Sequence, residues 1–244
     1  MKTVGIIGGI GPESTIEYYR LIIDAYRERQ SGPGVAPVDA QDARAASYPS
    51  IIINSVDLTR LIRWITDNEI DAFTDYLAGE IEKLARAGAD FGALASNTPH
   101  LVFDELRRRS PIPLISIVES ACGASQALGM KRVGLFGTSF TMKRSFYPDV
   151  FAKAGMTIVV PTEEEQAYIH EKYMKELLNN IFLPETREHL LEIVDRMKAR
   201  DDIEGLILGG TELPLILRDT EHHGIPFLDT TKIHVERIVA ELLS

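Results

Sequence analysis

The chain carries the same series of segments twice, and this repeat constrains the fold more than any other feature. Val4-Gly5-Ile6-Ile7-Gly8-Gly9 is echoed by Val133-Gly134-Leu135-Phe136-Gly137-Thr138. Ala93-Leu94-Ala95-Ser96-Asn97-Thr98-Pro99-His100 is echoed by Ile207-Leu208-Gly209-Gly210-Thr211-Glu212-Leu213-Pro214, which sets Ser96 opposite Gly210. Ile112-Pro113-Leu114 is echoed by Ile225-Pro226-Phe227. Two long copies in the same order are too few and too large for a solenoid and point to a duplicated unit.

Each unit reads as α/β. Short apolar runs at Thr3–Ile7, Ser50–Ser55, Phe91–Ala95, Leu114–Ile117, Val133–Phe136, Thr157–Val160, Gly205–Leu208 and Phe227–Leu228 are apolar on both faces. Strands covered by helices on both sides have this pattern. Between them, Phe73, Leu77, Ile81 and Leu84 make one helical stripe closed by Gly88, and Leu190, Ile193, Val194 and Met197 make another after Pro184. The alternation predicts two similar Rossmann-like domains with mainly parallel sheets flanked by helices. The expected division is residues 1–115 with 225–244 against 116–224, the last helix returning to the first domain. The run Glu163–Glu165 reads as a solvated helix start. Gln30–Asp42, rich in Gly and Pro, reads as a long loop, either a plain connection, the favoured reading, or a functional lid.

Bulk composition narrows the function. A formal net charge of −10 argues against a nucleic-acid partner, which needs a basic face. A local anion site remains compatible with it. The single cysteine, Cys122, excludes an intramolecular disulfide framework and a thiolate zinc site, and reads as a buried small hydrophobe. No apolar run approaches the ~20 residues that span a bilayer, and the chain opens directly on a strand, so the expected compartment is the cytoplasm. No H-E-x-x-H spacing occurs, and no metal site is expected.

Chemistry is expected where strands end, because ligands of parallel α/β sheets collect outside the carboxyl ends of the strands. Gly8–Thr15 follows the first strand; Gly9 and Ile10 belong to either a tight strand-to-helix turn or a carboxylate site at a helix N-terminus. The loop is neither a dinucleotide fingerprint nor a phosphate-binding P-loop. Thr138, Ser139 and Thr141 stand in the matching loop, one as a helix cap and the others as hydroxyl donors to a carboxylate. Asn97-Thr98 and Thr211-Glu212 end the paired strands as ligand contacts or as caps. His100, His170 and His234 are structural hydrogen-bonders or acid–base groups.

Taken together, IGGIGPESTIEYY (Ile7–Tyr19), SNTPH (Ser96–His100), LFGTSFTM (Leu135–Met142), GGTELPL (Gly209–Leu215) and FLDTTKIH (Phe227–His234) resemble the aspartate/glutamate racemase family, the cofactor-independent amino-acid racemases related to hydantoin racemases and arylmalonate decarboxylases. The resemblance covers nearly the whole chain in family order. It implies two α/β domains related by pseudo-twofold symmetry with the site in the cleft between them, a homodimer, a small carboxylate or amino-acid substrate, and no cofactor. Family racemases use two cysteines, one per face of the substrate: one thiolate removes the Cα proton and the other thiol returns one. The first stands just before the Asn-Thr pair and the second just before Thr-Glu. Here those positions hold Ser96 and Gly210. Where many aspartate-type members have a lysine for the side-chain carboxylate, this chain has Tyr168.

These departures bear on mechanism. A thiol near pKa 8.5 is readily tuned into a base, a serine hydroxyl needs its own activating base, and a glycine carries no proton. The expected catalytic set is therefore Ser96 and Gly210 as the cysteine positions, with Glu212 and His100 as substitutes. The expected binding set is Gly9, Ile10, Asn97, Thr98, Thr138, Ser139, Thr141, Tyr168 and Thr211. Three activities are compatible with them: a divergent racemase or epimerase, a one-sided lyase, decarboxylase or isomerase, and a non-catalytic binder of small acids.

Overall fold

The computed structural model describes residues 2–31 and 48–244. The greater part of the expected loop Gln30–Asp42, residues 32–42, lies outside them, and Gln30 and Ser31 end the first helix. The chain divides into two compact units: Met1–Ala95 with Asp104–Ile115 and His234–Ser244, and Ser96–Phe103 with Ser116–Ile233.

The first unit is a four-stranded parallel sheet. Strands β1 (Thr3–Gly8), β2 (Ser50–Ser55), β3 (Phe91–Leu94) and β4 (Leu114–Ile115) lie in the order β2-β1-β3-β4. Val4 and Ile6 of β1 face Tyr18, Ile22 and Tyr26 of the helix Pro12–Ser31 and Val235, Ile238, Val239 and Leu242 of the helix Thr230–Leu242. The helix Ile70–Arg86 buries the predicted stripe Phe73, Leu77, Ile81 and Leu84. The helix and the turn after it come so close to β1 that a Cβ on Gly5 would stand 3.1 Å from Leu84 and 2.9 Å from Ala89. Each such large apolar side chain contributes roughly 1.5–3 kcal/mol by leaving water.

The second unit repeats the topology. Strands β5 (Arg132–Phe136), β6 (Thr157–Val159), β7 (Gly205–Leu208), β8 (Glu221–His222) and β9 (Ile225–Asp229) lie in the order β6-β5-β7-β9-β8. Without the last strand this is second-first-third-fourth again, the order of the first sheet, as a duplicated α/β unit requires. The antiparallel β8 is extra and pairs with β9 in a short hairpin. Leu190, Ile193, Val194 and Met197 of the helix Pro184–Asp201 fill one side of this core. Cys122 is buried on the other side with Val133, Leu135 and Phe151. Burial, then the Glu119 charge, pushes its thiol above the usual range, so it is an inert apolar filler here.

Two boundaries differ from expectation. Residues 225–233 belong to the second unit, because Leu206, Ile207 and Leu208 pair with Phe227, Leu228 and Asp229; the return to the first unit starts at His234. The segment Ser96–Phe103 also belongs to the second unit. The predicted strand Leu114–Ile117 is shorter, because Ser116 caps the helix Ile117–Ala127 by accepting from the Glu119 N–H at 3.2 Å. Among the described residues no helix is long and apolar enough to cross a membrane.

Candidate active site

The ends of β5, β7 and β9 and the segment after β3 meet in one hydrogen-bonded cluster of the second unit. Thr230, just past β9, donates to the Leu208 carbonyl at the end of β7 (2.8 Å) and accepts from Asn97 Nδ2 (3.3 Å). Asn97 Oδ1 accepts from the Tyr147 hydroxyl at 2.6 Å. Tyr147 is fully buried, and burial holds its phenol well above the ordinary range, which keeps it a neutral donor. Asn97 is therefore a bracket that fixes the segment Ser96–Phe103 on the strand ends. It makes no cap hydrogen bond with its side chain, and neither does Glu212, so the capping alternative fails for both. It holds for Thr138, which caps the short helix Ser139–Lys143 through the Thr141 N–H and shares a 3.3 Å contact between hydroxyls with Thr141.

His100 is hydrogen-bonded through both ring nitrogens. Its Nε2 accepts from the Ile117 N–H at 3.1 Å, which leaves the proton on Nδ1 to donate to the Ser96 carbonyl, also at 3.1 Å. The ring stacks on Phe103 with centroids 4.6 Å apart. Both nitrogens are occupied in holding the strand-end segment, which favours a structural role over the expected catalytic one. His234 is likewise structural, in the first unit: Nδ1 accepts from Tyr18 at 2.8 Å and Nε2 donates to the Ile115 carbonyl at 3.0 Å.

Gly9 and Ile10 lie in the first unit at the end of β1. Gly9 has φ +80°, and a Cβ there would stand 2.4 Å from the Val56 carbonyl oxygen. Its N–H donates to Thr15 Oγ1 at 2.8 Å. The glycine is explained by the tight strand-to-helix turn, and its N–H is already committed.

The helix Glu163–Lys175 supplies what sequence reasoning missed. It starts with a capping box: Thr162 Oγ1 accepts from the Glu165 N–H (3.3 Å) and Glu165 accepts from the Thr162 N–H (2.9 Å). Its residues His170 and Tyr173, one turn apart, share a face. His170 Nδ1 accepts from the Ser139 N–H at 3.2 Å; burial, then Lys143, lowers its pKa. Tyr173 donates a hydrogen bond to Glu212 Oε2, which also accepts from Thr211 Oγ1 at 3.0 Å. Burial first, and then the Glu212 charge, raises the Tyr173 phenol well above its ordinary value, so it stays protonated. Tyr168 points elsewhere. At ~100° per residue it lies roughly 160° from His170 around the helix, and its ring packs on His189 with centroids 4.2 Å apart. Tyr168 makes a helix–helix contact, which favours a packing role over the expected substrate contact.

Gly210 and Tyr173 are sterically coupled. A Cβ on Gly210 would stand 2.4 Å from Tyr173 Cε2 and 2.7 Å from its hydroxyl oxygen. The phenol occupies the volume that any side chain at 210 would need. Gly210→Ala should cost about 1–3 kcal/mol through overpacking. In urea unfolding, a Tyr173→Ala background should shrink that cost by at least ~0.5 kcal/mol, the coupling expected of residues in contact. Additive costs would mean that the overlap is relieved elsewhere.

Three hydroxyls at this cluster, Ser96 Oγ, Thr98 Oγ1 and Ser139 Oγ, make no hydrogen bond among the described residues, whereas Thr138, Thr141 and Thr211 are committed. Ser96 is buried, and Thr98 and Ser139 are half-buried. The predicted residues thus fall into two groups. Ser96, Asn97, Thr98, His100, Thr138, Ser139, Thr141, Tyr168, Gly210, Thr211 and Glu212 belong to the second unit, and Gly9 and Ile10 to the first.

The fold is similar to that of a putative Asp/Glu racemase from Yersinia pestis, at 25% identity and TM-score 0.85, with 100% of both chains covered. It is similar also to an aspartate racemase homologue from Pyrococcus horikoshii, at 30% identity and TM-score 0.80, again with 100% of both chains covered. In sequence it is 24% identical over 247 residues to the broad specificity amino-acid racemase RacX of Bacillus subtilis, covering 99% of this chain and 98% of that one. The Asp/Glu/hydantoin racemase model matches residues 7–238. The chain belongs to the Asp/Glu/hydantoin racemase family.

Proposed function

We propose that this chain is a cofactor-independent amino-acid isomerase of the racemase type whose proton chemistry runs without a cysteine pair. The observation that carries the reading is the Tyr173 phenol, hydrogen-bonded to Glu212, in the side-chain volume of Gly210. The family would place its second cysteine at 210 and its first at Ser96; here a hydrogen-bonded phenol and carboxylate take the place of the second. In the deprotonation step, Tyr173 Oη accepts the Cα proton while its own phenolic proton passes to Glu212. The electron pair left at Cα delocalises into the substrate carboxylate. Reprotonation from the other face draws a solvent proton through the Ser96 hydroxyl. Thr98 and Ser139, whose hydroxyls are unspent, donate to the substrate carboxylate. Similarity to a broad specificity amino-acid racemase and to an aspartate racemase homologue supports an amino acid as substrate.

One observation favours a second reading. Ser96 Oγ has no hydrogen-bonded base among the described residues, and a serine hydroxyl without one is a poor proton carrier. A one-sided enzyme, using the Tyr173–Glu212 arm alone as a lyase, decarboxylase or isomerase, fits that asymmetry. Proton NMR of L- and D-amino acids in D₂O, aspartate and glutamate first, separates the readings. Loss of the α-proton signal with matching inversion is expected. Exchange with retained configuration would support the one-sided reading. Binding without exchange, over a broad panel, would sink both.

A further inference from the structure

Away from the strand-end cluster, three metal-ligating side chains converge on the outer edge of the second sheet. Asp195 lies on the helix Pro184–Asp201, and His222 and His223 lie at the β8–β9 hairpin, 27 residues later at the nearest. One ligand atom from each lies within 4.8 Å of the others. Asp195 Oδ1 is 3.1 Å from His222 Nε2 and 2.9 Å from His223 Nδ1. We infer that Asp195, His222 and His223 form a binding site for a divalent transition-metal ion with a preference for nitrogen ligands, such as zinc or cobalt.

Three features support this assignment. The first is backbone geometry. Adjacent residues of a strand project to opposite faces. Here His223 has φ +47°, in the left-handed region, where histidine is enriched among non-glycine residues. The turn brings both rings to one side, with centroids 3.9 Å apart.

The second is the spacing. Ligands bound at about 2.0–2.2 Å in tetrahedral or octahedral geometry stand roughly 2.8–3.6 Å from one another. The two carboxylate–imidazole separations fall at the lower end of that range.

The third is an unspent donor. His222 Nε2 is buried and forms no aligned hydrogen bond, although a carboxylate oxygen lies beside it. An ion between the three groups would use the lone pair of each ring and the carboxylate at once. Two imidazoles with one carboxylate suit zinc, cobalt or nickel, whereas magnesium and calcium favour all-oxygen shells. Three protein ligands leave the remaining positions to water, since Asp195 and His223 are exposed. The ion would tie the hairpin to the helix. Local spacing cannot signal this site, because its ligands come from two elements joined only by the fold.

The test is titration of the full, tag-free chain with cobalt(II) chloride, read by calorimetry and by the visible absorption of the bound ion. One equivalent is expected to bind, zinc to displace it, and magnesium chloride to leave it bound. Asp195→Asn, His222→Ala and His223→Asn should each weaken binding at least tenfold. Asparagine at 223 tolerates the left-handed backbone, so that variant keeps the turn. Thermal unfolding should shift upward with zinc in the parent chain and not in the variants. Absence of stoichiometric binding, or equal affinity in the parent and all three variants, would overturn the site, leaving a surface His–Asp hydrogen bond.

Discussion

Replacing Glu212 with glutamine, or Tyr173 with phenylalanine, should reduce α-proton exchange about 10²–10⁴-fold, the range for loss of a positioned acid–base group. That corresponds to roughly 3–5 kcal/mol of transition-state stabilisation. Both variants nearly preserve shape. Glu212→Gln still accepts from Tyr173 through its amide oxygen but cannot take the phenolic proton. Tyr173→Phe keeps the ring over Gly210 and removes the hydroxyl between Glu212 and the substrate. The comparison that decides the role is kcat against KM with the double variant. If the pair acts as one relay, either single loss removes most of the effect, and the double variant is about as slow as each single one. Equal kcat in the parent and Glu212→Gln would remove the relay and return the problem to Ser96.

The second large effect is on stability against pH. His234 is fully buried between Tyr18 and the Ile115 carbonyl, and burial pulls its pKa down from 6.5 to about 4. The unfolded chain takes up this proton near pH 6.5 and the folded chain only near pH 4. Stability is therefore present in full above about pH 6.5 and falls as the pH drops from there to about 4. A gap of about 2.5 pH units at ~1.4 kcal/mol each amounts to roughly 3–4 kcal/mol, most of it lost by pH 4. His234→Gln keeps an amide donor for Ile115 and an acceptor for Tyr18 but does not titrate. Urea unfolding of both proteins at pH 7, 6, 5 and 4 should show the parent losing about 3 kcal/mol more than the variant over this window. Parallel curves would mean that the imidazole is protonated in the folded state.

Much of the architecture is legible from residues alone, for an identifiable reason. A parallel strand buried on both faces must be a short apolar run, so eight such runs could be marked along the chain, and all eight contribute strands. The missing ninth, Glu221–His222, has two polar residues and no run to mark it. The repeat anticipates that both sheets share one strand order. Boundaries were less legible. The placement of 225–233 depends on which sheet offers β9 a neighbour, and β7 in the second sheet provides it.

The site was legible as a region but not as a mechanism. Apolar runs that break into Ser96-Asn97 and Gly210-Thr211 mark strand ends from sequence, and those residues do gather in one unit. Their roles depend on partners distant in sequence. Asn97 and His100 look like catalytic or binding groups until Tyr147, Thr230 and Ile117 are seen to occupy them. Tyr168 and Tyr173 are equally plausible on a helical sequence, and only the packing of that helix turns one toward His189 and the other toward Gly210. By itself, the sequence determined the duplicated α/β architecture, because periodic burial is written into residue order. Tertiary structure alone decided which polar groups are spent and which volume Gly210 leaves to Tyr173, because hydrogen bonds and van der Waals exclusion act across space between residues that the chain keeps apart.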